Sequence, residues 1–260
     1  MPRGRNWRSL WKGWGMNNPR RSTAMQVDMY AHLPSDWQVQ TIRDVVDPTR
    51  RVTYGIVQPG GWQASGIPMI RGQDYSSGTV DDSNLYLVRP GIAASYQRSV
   101  VQGGDILFSI VGYLGQVAMV PDHLAGANIT QTTARIAIVP PNNNRFFFYQ
   151  FQADLYQPEV RKYQKGSAQP GLNLADVERM RVVVPPLPEQ RRIAEILDAA
   201  DDAIRQTERV IAKLRQVKAG LLHDLLTRGL DTQGRLRDPD AHPEQFPSGP
   251  ISEIAEINPT

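Results

Sequence analysis

Between Val183 and Thr227 the sequence VVPPLPEQRRIAEILDAADDAIRQTERVIAKLRQVKAGLLHDLLT joins a double proline to a stretch with no proline or glycine from Glu189 until Gly220. Pro185, Pro186 and Pro188 stop a β-rich segment and suit the first turn of a helix, because proline fixes φ and restricts the residue before it. Beyond them Ile193, Leu197, Ala200, Ile204, Thr207, Ile211, Leu214, Lys218, Leu221 and Leu225 step alternately by four and three, the spacing of a coiled-coil seam. Only Thr207 and Lys218 interrupt it. Ile196, Ala203, Val210 and Val217 widen the stripe, so the helix is expected to touch more than one neighbouring surface. Gln190 to Thr227 would run about 57 Å at about 1.5 Å per residue, longer than a small domain is wide. Gly229, Gly234 and Pro239 mark the exit. Gly220 lies inside the pattern at a cost of about 1 kcal/mol relative to alanine unless close packing explains it.

The expected fold class is therefore α+β, with a β-rich domain over residues 31–186, the long helix over 187–229, and a linker from residue 230 onward. Before the helix the chain reads as short elements between turn signals. HLPSDWQVQTIRDVV mixes a turn with a short helix or strand, and GIPMIRGQDY is a strand after a Gly-Pro bend. GGDILFSIVGYLGQVAMV is two strands meeting at Gly112–Gly115, TTARIAIVP is another strand, and RMRVVVPP closes the domain. NRFFFYQFQADLYQPEVRKY is aromatic-rich and is expected to be helical up to Pro158.

Charge is unevenly placed. Residues 1–30 hold six basic side chains against Asp28, a balance of +5, whereas the rest of the chain holds 23 basic and 25 acidic residues. The body is thus no generally basic nucleic-acid binder, and any such surface must be local. The tail also carries Trp7, Trp11 and Trp14 but no apolar run for a signal or a span, and it reads either as a disordered basic arm or as an artefact of start-site choice. The chain has no cysteine, which removes disulfides, thiolate metal sites and thiol nucleophiles and fits a cytoplasmic protein.

Catalytic patterns are missing. His32, His123, His223 and His242 have no metal-ligand spacing, and Ser65, Ser109 and Ser167 lack a nucleophile elbow. The glycines of VQPGGWQASG and SIVGYLGQ lack the lysine and hydroxyl of a phosphate-binding loop. No Asn-Pro-Pro-aromatic or Asp-Pro-Pro-aromatic loop for a target adenine is present, nor an acidic pair with lysine for a nuclease. A non-catalytic chain without cofactor or metal is expected.

The order of GIPMIRG, GDILFSIVGYLGQVAMV, GSAQPGLNLADVERMRVVVPPLPEQRRIAEIL and the long helix resembles the DNA-specificity subunit of type I restriction-modification systems, over about residues 33–260. PPLPEQRRIAEIL is the most specific block. The resemblance implies a target-recognition domain that reads half of a bipartite site in double-stranded DNA. It also implies a spacer helix packed antiparallel against a second one, and separate methyltransferase (modification) and restriction subunits as partners. This chain departs from the family in holding one domain and one helix. FPSGPISEIAEINPT at 246–260 echoes LPSDWQVQTIRDVVDPT at 33–49, as the opening of a second repeat would. The second specificity half is then supplied in cis, by a longer or truncated frame, or in trans by a second copy paired through a two-fold axis.

Base discrimination uses paired donors and acceptors, Arg or Lys for guanine and Asn or Gln for adenine. The DNA-binding candidates in or beside predicted turns are Arg71, Gln73, Tyr113, Gln116, Asn128, Thr130, Gln131 and Thr132, with Lys162, Lys165 and Ser167 in a later loop. For each one taken singly, a solvated loop role is the competing reading. KYQKGSAQPGLN combines charge, small residues and hydroxyls as a phosphate-contacting loop would. The rival for the whole chain is a non-catalytic coiled-coil scaffold that binds protein and no specific DNA.

Overall fold

A computed structural model describes Tyr30 and residues 33–166 and 170–238. The tail before Tyr30, the second-repeat echo at 246–260, His32, His242 and Ser167 lie outside the described residues. The chain divides into two compact units, Met1–Leu197 and Asp198–Thr260.

In the first unit, β1 (Gln38–Thr41) runs directly into α1 (Ile42–Val45), so HLPSDWQVQTIRDVV holds both a strand and a helix. The junction is set by Asp44, whose carboxylate accepts from the Thr41 amide at 2.9 Å and the Thr41 hydroxyl at 2.6 Å. Then follow β2 (Thr53–Tyr54), β3 (Ile67–Ile70), β4 (Tyr75–Ser76), β5 (Thr79–Val80), β6 (Tyr86–Val88), α2 (Pro90–Ala94), β7 (Ile106–Ser109), β8 (Val117–Met119), β9 (Asn128–Ile129) and β10 (Thr133–Ile136). A four-stranded sheet has the order β2-β10-β7-β8, and a three-stranded sheet the order β6-β3-β9 with β3 and β9 parallel.

β7 explains how the layers meet. Ile106 and Phe108 enter one apolar cluster while Leu107 enters another, so both faces of the sheet are covered and the strand reads as an apolar run without alternation. The first cluster is roofed by α3 (Asn144–Gln152), whose Phe147 and Phe151 are fully buried, each contributing about 1.5–3 kcal/mol. Asn143 caps α3 by accepting from the Phe146 amide at 3.0 Å. The aromatic stretch departs from expectation at its end: Pro158 does not stop the helix but lies in the first turn of a new one, α4 (Gln157–Tyr163), where a missing N–H costs nothing.

After α5 (Leu174–Arg179), β11 (Arg181–Val184) pairs antiparallel with β1 and closes the domain. The Gln150 side chain accepts from the Val183 amide and donates to its carbonyl, each at 3.0 Å. The long helix α6 (Leu187–Arg228) starts at once, and its Gln190 is 1% exposed. That amide accepts from the Asn143 N–H at 2.9 Å and donates to the Pro185 carbonyl at 2.9 Å and to Asn142 Oδ1 at 3.2 Å. Ala194 and Ile193 pack on the first cluster, so the opening turns of α6 belong to the domain core.

In the second unit α6 continues unbroken through Gly220 to Arg228, 42 residues in all and about 63 Å long. Thr207 turns its hydroxyl onto the Ala203 carbonyl at 2.8 Å, which satisfies the polar group inside the seam. Gly229, at φ +67°, ends the helix by returning its N–H to the Leu225 carbonyl. The seam residues Leu197, Ile204, Leu214, Leu221 and Leu225 are 37–61% exposed, Ala200 is exposed and Ile211 is half-buried. Among the described residues no helix is long and apolar enough to cross a membrane.

Candidate nucleic-acid interface

Three chain segments converge beyond the ends of β2, β7 and β10. The chain leaving β2 donates Gly55 N–H to the Thr130 carbonyl and Ile56 N–H to the Ile129 carbonyl at 2.7 Å. The approach is so close that a Cβ on Gly55 would lie 1.7 Å from the Ile129 oxygen, so only glycine fits. Ile110 N–H in turn bonds the Thr132 carbonyl at 2.9 Å. Between these backbones opens a groove of about 510 Å³ whose lining includes Arg71, Gln73, Tyr113, Thr130, Gln131 and Thr132. Six of the eleven DNA-binding candidates, scattered over some sixty positions of sequence, thus share one concavity.

Their chemical states differ. Tyr113 stands 81% exposed on the turn between β7 and β8, a turn that Gly112 and Gly115 permit with φ near +80°. Gln73 and Gln131 are exposed and have no side-chain hydrogen bond among the described residues, so both faces of each amide are available. Thr130 and Thr132 share a hydroxyl–hydroxyl bond of 2.9 Å. Arg71 is committed: its guanidinium donates twice to Asp74, at 2.7 and 2.8 Å, and once to the Asn84 carbonyl. The hydrogen bond to Asp74 holds its pKa above the ordinary value.

Two candidates point into the fold instead. Asn128 is 1% exposed in β9, its oxygen accepting from Ser99 Oγ at 2.9 Å, because the parallel pairing with β3 carries it inside. Gln116 donates to the Tyr75 carbonyl and is not among the residues that line the groove. Tyr75 itself is buried against Thr133, and burial pushes its phenol up to about 12, so it remains a neutral hydrogen-bond partner.

The later loop divides as well. Lys162 lies on α4 and not in a loop, with Nζ 5.1 Å from the Tyr163 ring centroid and 4.0 Å from Glu159. Lys165 and Gly171 exchange two backbone bonds of 2.9 Å, while Gly112 N–H reaches the Pro170 carbonyl and Leu172 N–H the Ile110 carbonyl. The loop is therefore hung on the wall that carries Tyr113. Lys165 Nζ pairs with Asp176 at 2.6 Å. Ser167 lies outside the described residues.

The profile of a family described as type I restriction modification DNA specificity domain matches residues 34–216. The chain belongs to that DNA-specificity family. The EcoBI specificity subunit of a type I restriction enzyme from Escherichia coli is 30% identical over 226 residues, 83% of this chain and 47% of that protein. A putative type I restriction enzyme MjaX specificity subunit from Methanocaldococcus jannaschii is 25% identical over 210 residues, 76% of this chain and 47% of its own length. The chain spans about half the length of the curated relatives it matches.

Among solved structures, a chain from work on complex assembly and conformational transition of the type I R-M system matches with a TM-score of 0.55 at 20% identity, covering 78% of this chain and 48% of that one. The HsdS subunit from Thermoanaerobacter tengcongensis gives 0.53 at 19% identity, covering 82% and 54%. Both share the fold of the specificity-family chain.

Sequence reasoning missed part of this specificity-family surface. Val57 and Pro59 form an apolar wall of the groove without any pattern to announce it. At the other end of β2, Arg50, Arg51 and Arg98 gather near Arg135; the adjacent pair after Asp47-Pro48 was the available signal. Among the described residues no group of three or more His, Asp or Glu stands where it could hold a metal ion.

Proposed function

We propose that this chain is a non-catalytic recognition unit of a type I restriction-modification system, reading one half of a bipartite duplex site and scaffolding methyltransferase and restriction subunits. The carrying observation is the gathering of Gln73, Tyr113, Gln131 and two threonines in one groove of a specificity-family domain. Exposed glutamine amides match the N6 and N7 edge of adenine, each good pair being worth about 1–3 kcal/mol, and threonine hydroxyls serve as donor or acceptor. Arg71 reads guanine only by exchanging Asp74, which makes it a weaker reader than the glutamines. Lys165, Pro170 and Gly171, tied by backbone hydrogen bonds to each other and to Gly112, supply phosphate-backbone contacts beside the groove.

α6 sets the distance to the second half-site, whose domain comes in cis from a longer chain or in trans from a second copy. About 63 Å of helix exceeds the roughly 34 Å between adjacent half-sites, leaving length for subunit contacts. The exposed apolar stripe from Ile204 to Leu225 fits a helix partner under either reading, and membership of the DNA-specificity family counts against a protein scaffold without DNA selectivity.

One experiment separates them. The chain is co-expressed with candidate methyltransferase subunits of a type I system, the complex is purified, and methylated adenines are mapped in the host DNA. A bipartite or palindromic methylated motif is expected. A stable complex that leaves the DNA unmodified would favour the scaffold.

A further inference from the structure

Resting on the DNA-binding reading above, we propose that a second hollow, between Arg51 and Arg98, is a phosphate clamp that holds the backbone of the duplex beside the base-reading groove. The hollow measures about 760 Å³ and lies against the Asp105 end of the four-stranded sheet, with Arg50, Arg51, Arg98 and Arg135 on its walls.

Arg135 builds it. Although 3% exposed in β10, its guanidinium donates to the carbonyls of Arg98 at 2.9 Å and Val100 at 3.1 Å, and to that of Arg51 at 3.0 Å. One buried cation thereby hangs the two segments that carry the exposed arginines and fixes their separation. Its own Nε has no hydrogen-bond partner among the described residues. Burial above all, and then repulsion from Arg50, press its pKa below the ordinary value, but a guanidinium stays protonated.

Among the described residues the nearby carboxylates leave Arg51 and Arg98 unpaired. Asp105 takes a two-pronged bond from Arg50 at 2.6 and 2.9 Å and the Gln102 amide. Asp47 is occupied by the amide and hydroxyl of Thr49, and Glu178 by Arg43 at 2.6 Å. Arg51 and Arg98 are exposed and have no carboxylate partner among the described residues. Four guanidiniums against Asp47 and Asp105 leave a positive hollow on a body whose overall charge is slightly negative.

Its position selects DNA over an acidic protein surface. The segment leading into and out of β2 lines this hollow from Pro48 to Tyr54 and the base-reading groove from Ile56 to Pro59. Along β10, Arg135 is three residues from Thr132, about 10 Å at roughly 3.3 Å per residue. At 3.4 Å per base-pair step that is about three phosphates of one strand. A duplex that lies in the groove and follows the direction of β10 would bring its backbone to the clamp, within that span.

The test compares the full-length chain with R51A/R98A and R51K/R98K, titrating a random-sequence duplex and a duplex carrying the methylated motif across a range of salt. For the alanine pair both duplexes should bind more weakly, on the order of tenfold to a hundredfold at low salt, with a log–log salt slope shallower by about 2 and an unchanged preference for the motif. The lysine pair should retain the slope, and an unchanged thermal midpoint shows that the fold survives. Wild-type affinity and slope in the alanine pair overturn the clamp. So does a loss confined to the motif duplex, or intact DNA binding with lost capture of methyltransferase subunits, which assigns the hollow to an acidic protein surface. Failure of the wild-type chain to bind either duplex overturns the DNA reading itself, and the clamp with it.

Discussion

Gln131 and Asn128 lie three residues apart and carry the same amide group, yet one is exposed on the groove and the other is 1% exposed beneath it. Gln131→Ala should relax the methylated motif at one position, with a loss of about 1–3 kcal/mol in discrimination and an unchanged thermal midpoint. Asn128→Ala should lower the midpoint and leave the motif intact, since it removes a buried side chain and its hydrogen bond from Ser99 Oγ, which keeps only the Tyr96 carbonyl. Methylation mapping and thermal unfolding of the two variants check the pair. Gln190→Leu leaves the Asn143 N–H and the Pro185 carbonyl without their partner, a destabilisation of about 2–4 kcal/mol readable as a shift in the urea midpoint. Asp44 gives a pH signature. The hydrogen bonds from Thr41 lower its pKa from 3.8, so its contribution is complete above that value and is lost as pH falls through the lower folded value. Asp44→Asn should therefore destabilise at neutral pH, with the difference from wild type shrinking as pH falls below 3.8 and vanishing below the lower folded value, as acid-limb unfolding curves would show.

At the scale of elements, α6 carries the most inference. A Cβ on Gly220 would meet nothing within 4 Å. Gly220→Ala should then raise stability by about 1 kcal/mol by helix propensity alone. A measured loss would place a packed neighbour against this face. Inserting one heptad between Ala203 and Val210 lengthens the helix by about 10 Å, roughly three base-pair steps, so the gap in the methylated motif should widen. An unchanged motif would remove α6 from the spacing role. The helix was legible because its period, its proline start and its glycine exit agree. Pro158 misled because a proline suits the start of a helix as well as its end; α3 has already stopped at Gln152, and the intervening turn at Asp154–Tyr156 leads into the helix that Pro158 opens.

For the whole molecule, the apolar stripe on α6 leaves Leu214 and Leu221 half or more exposed, a surface that a monomer in water rarely tolerates. Concentration-dependent self-association of the purified chain is expected in sedimentation, and L214E/L221E should abolish it while leaving duplex binding by the domain in place. The sequence by itself determined the long helix and the β-rich domain, because periodicity and turn chemistry are local properties, and it offered a set of polar turn residues as candidates for DNA contact. Only the tertiary structure decided which of those side chains face outward. Register in the parallel β3–β9 pair buries Asn128, the Asp74 carboxylate claims Arg71, and Arg135 draws Arg51 and Arg98 to one hollow across long separations in sequence. Such contacts are set by packing between distant segments, on which a local pattern carries no information.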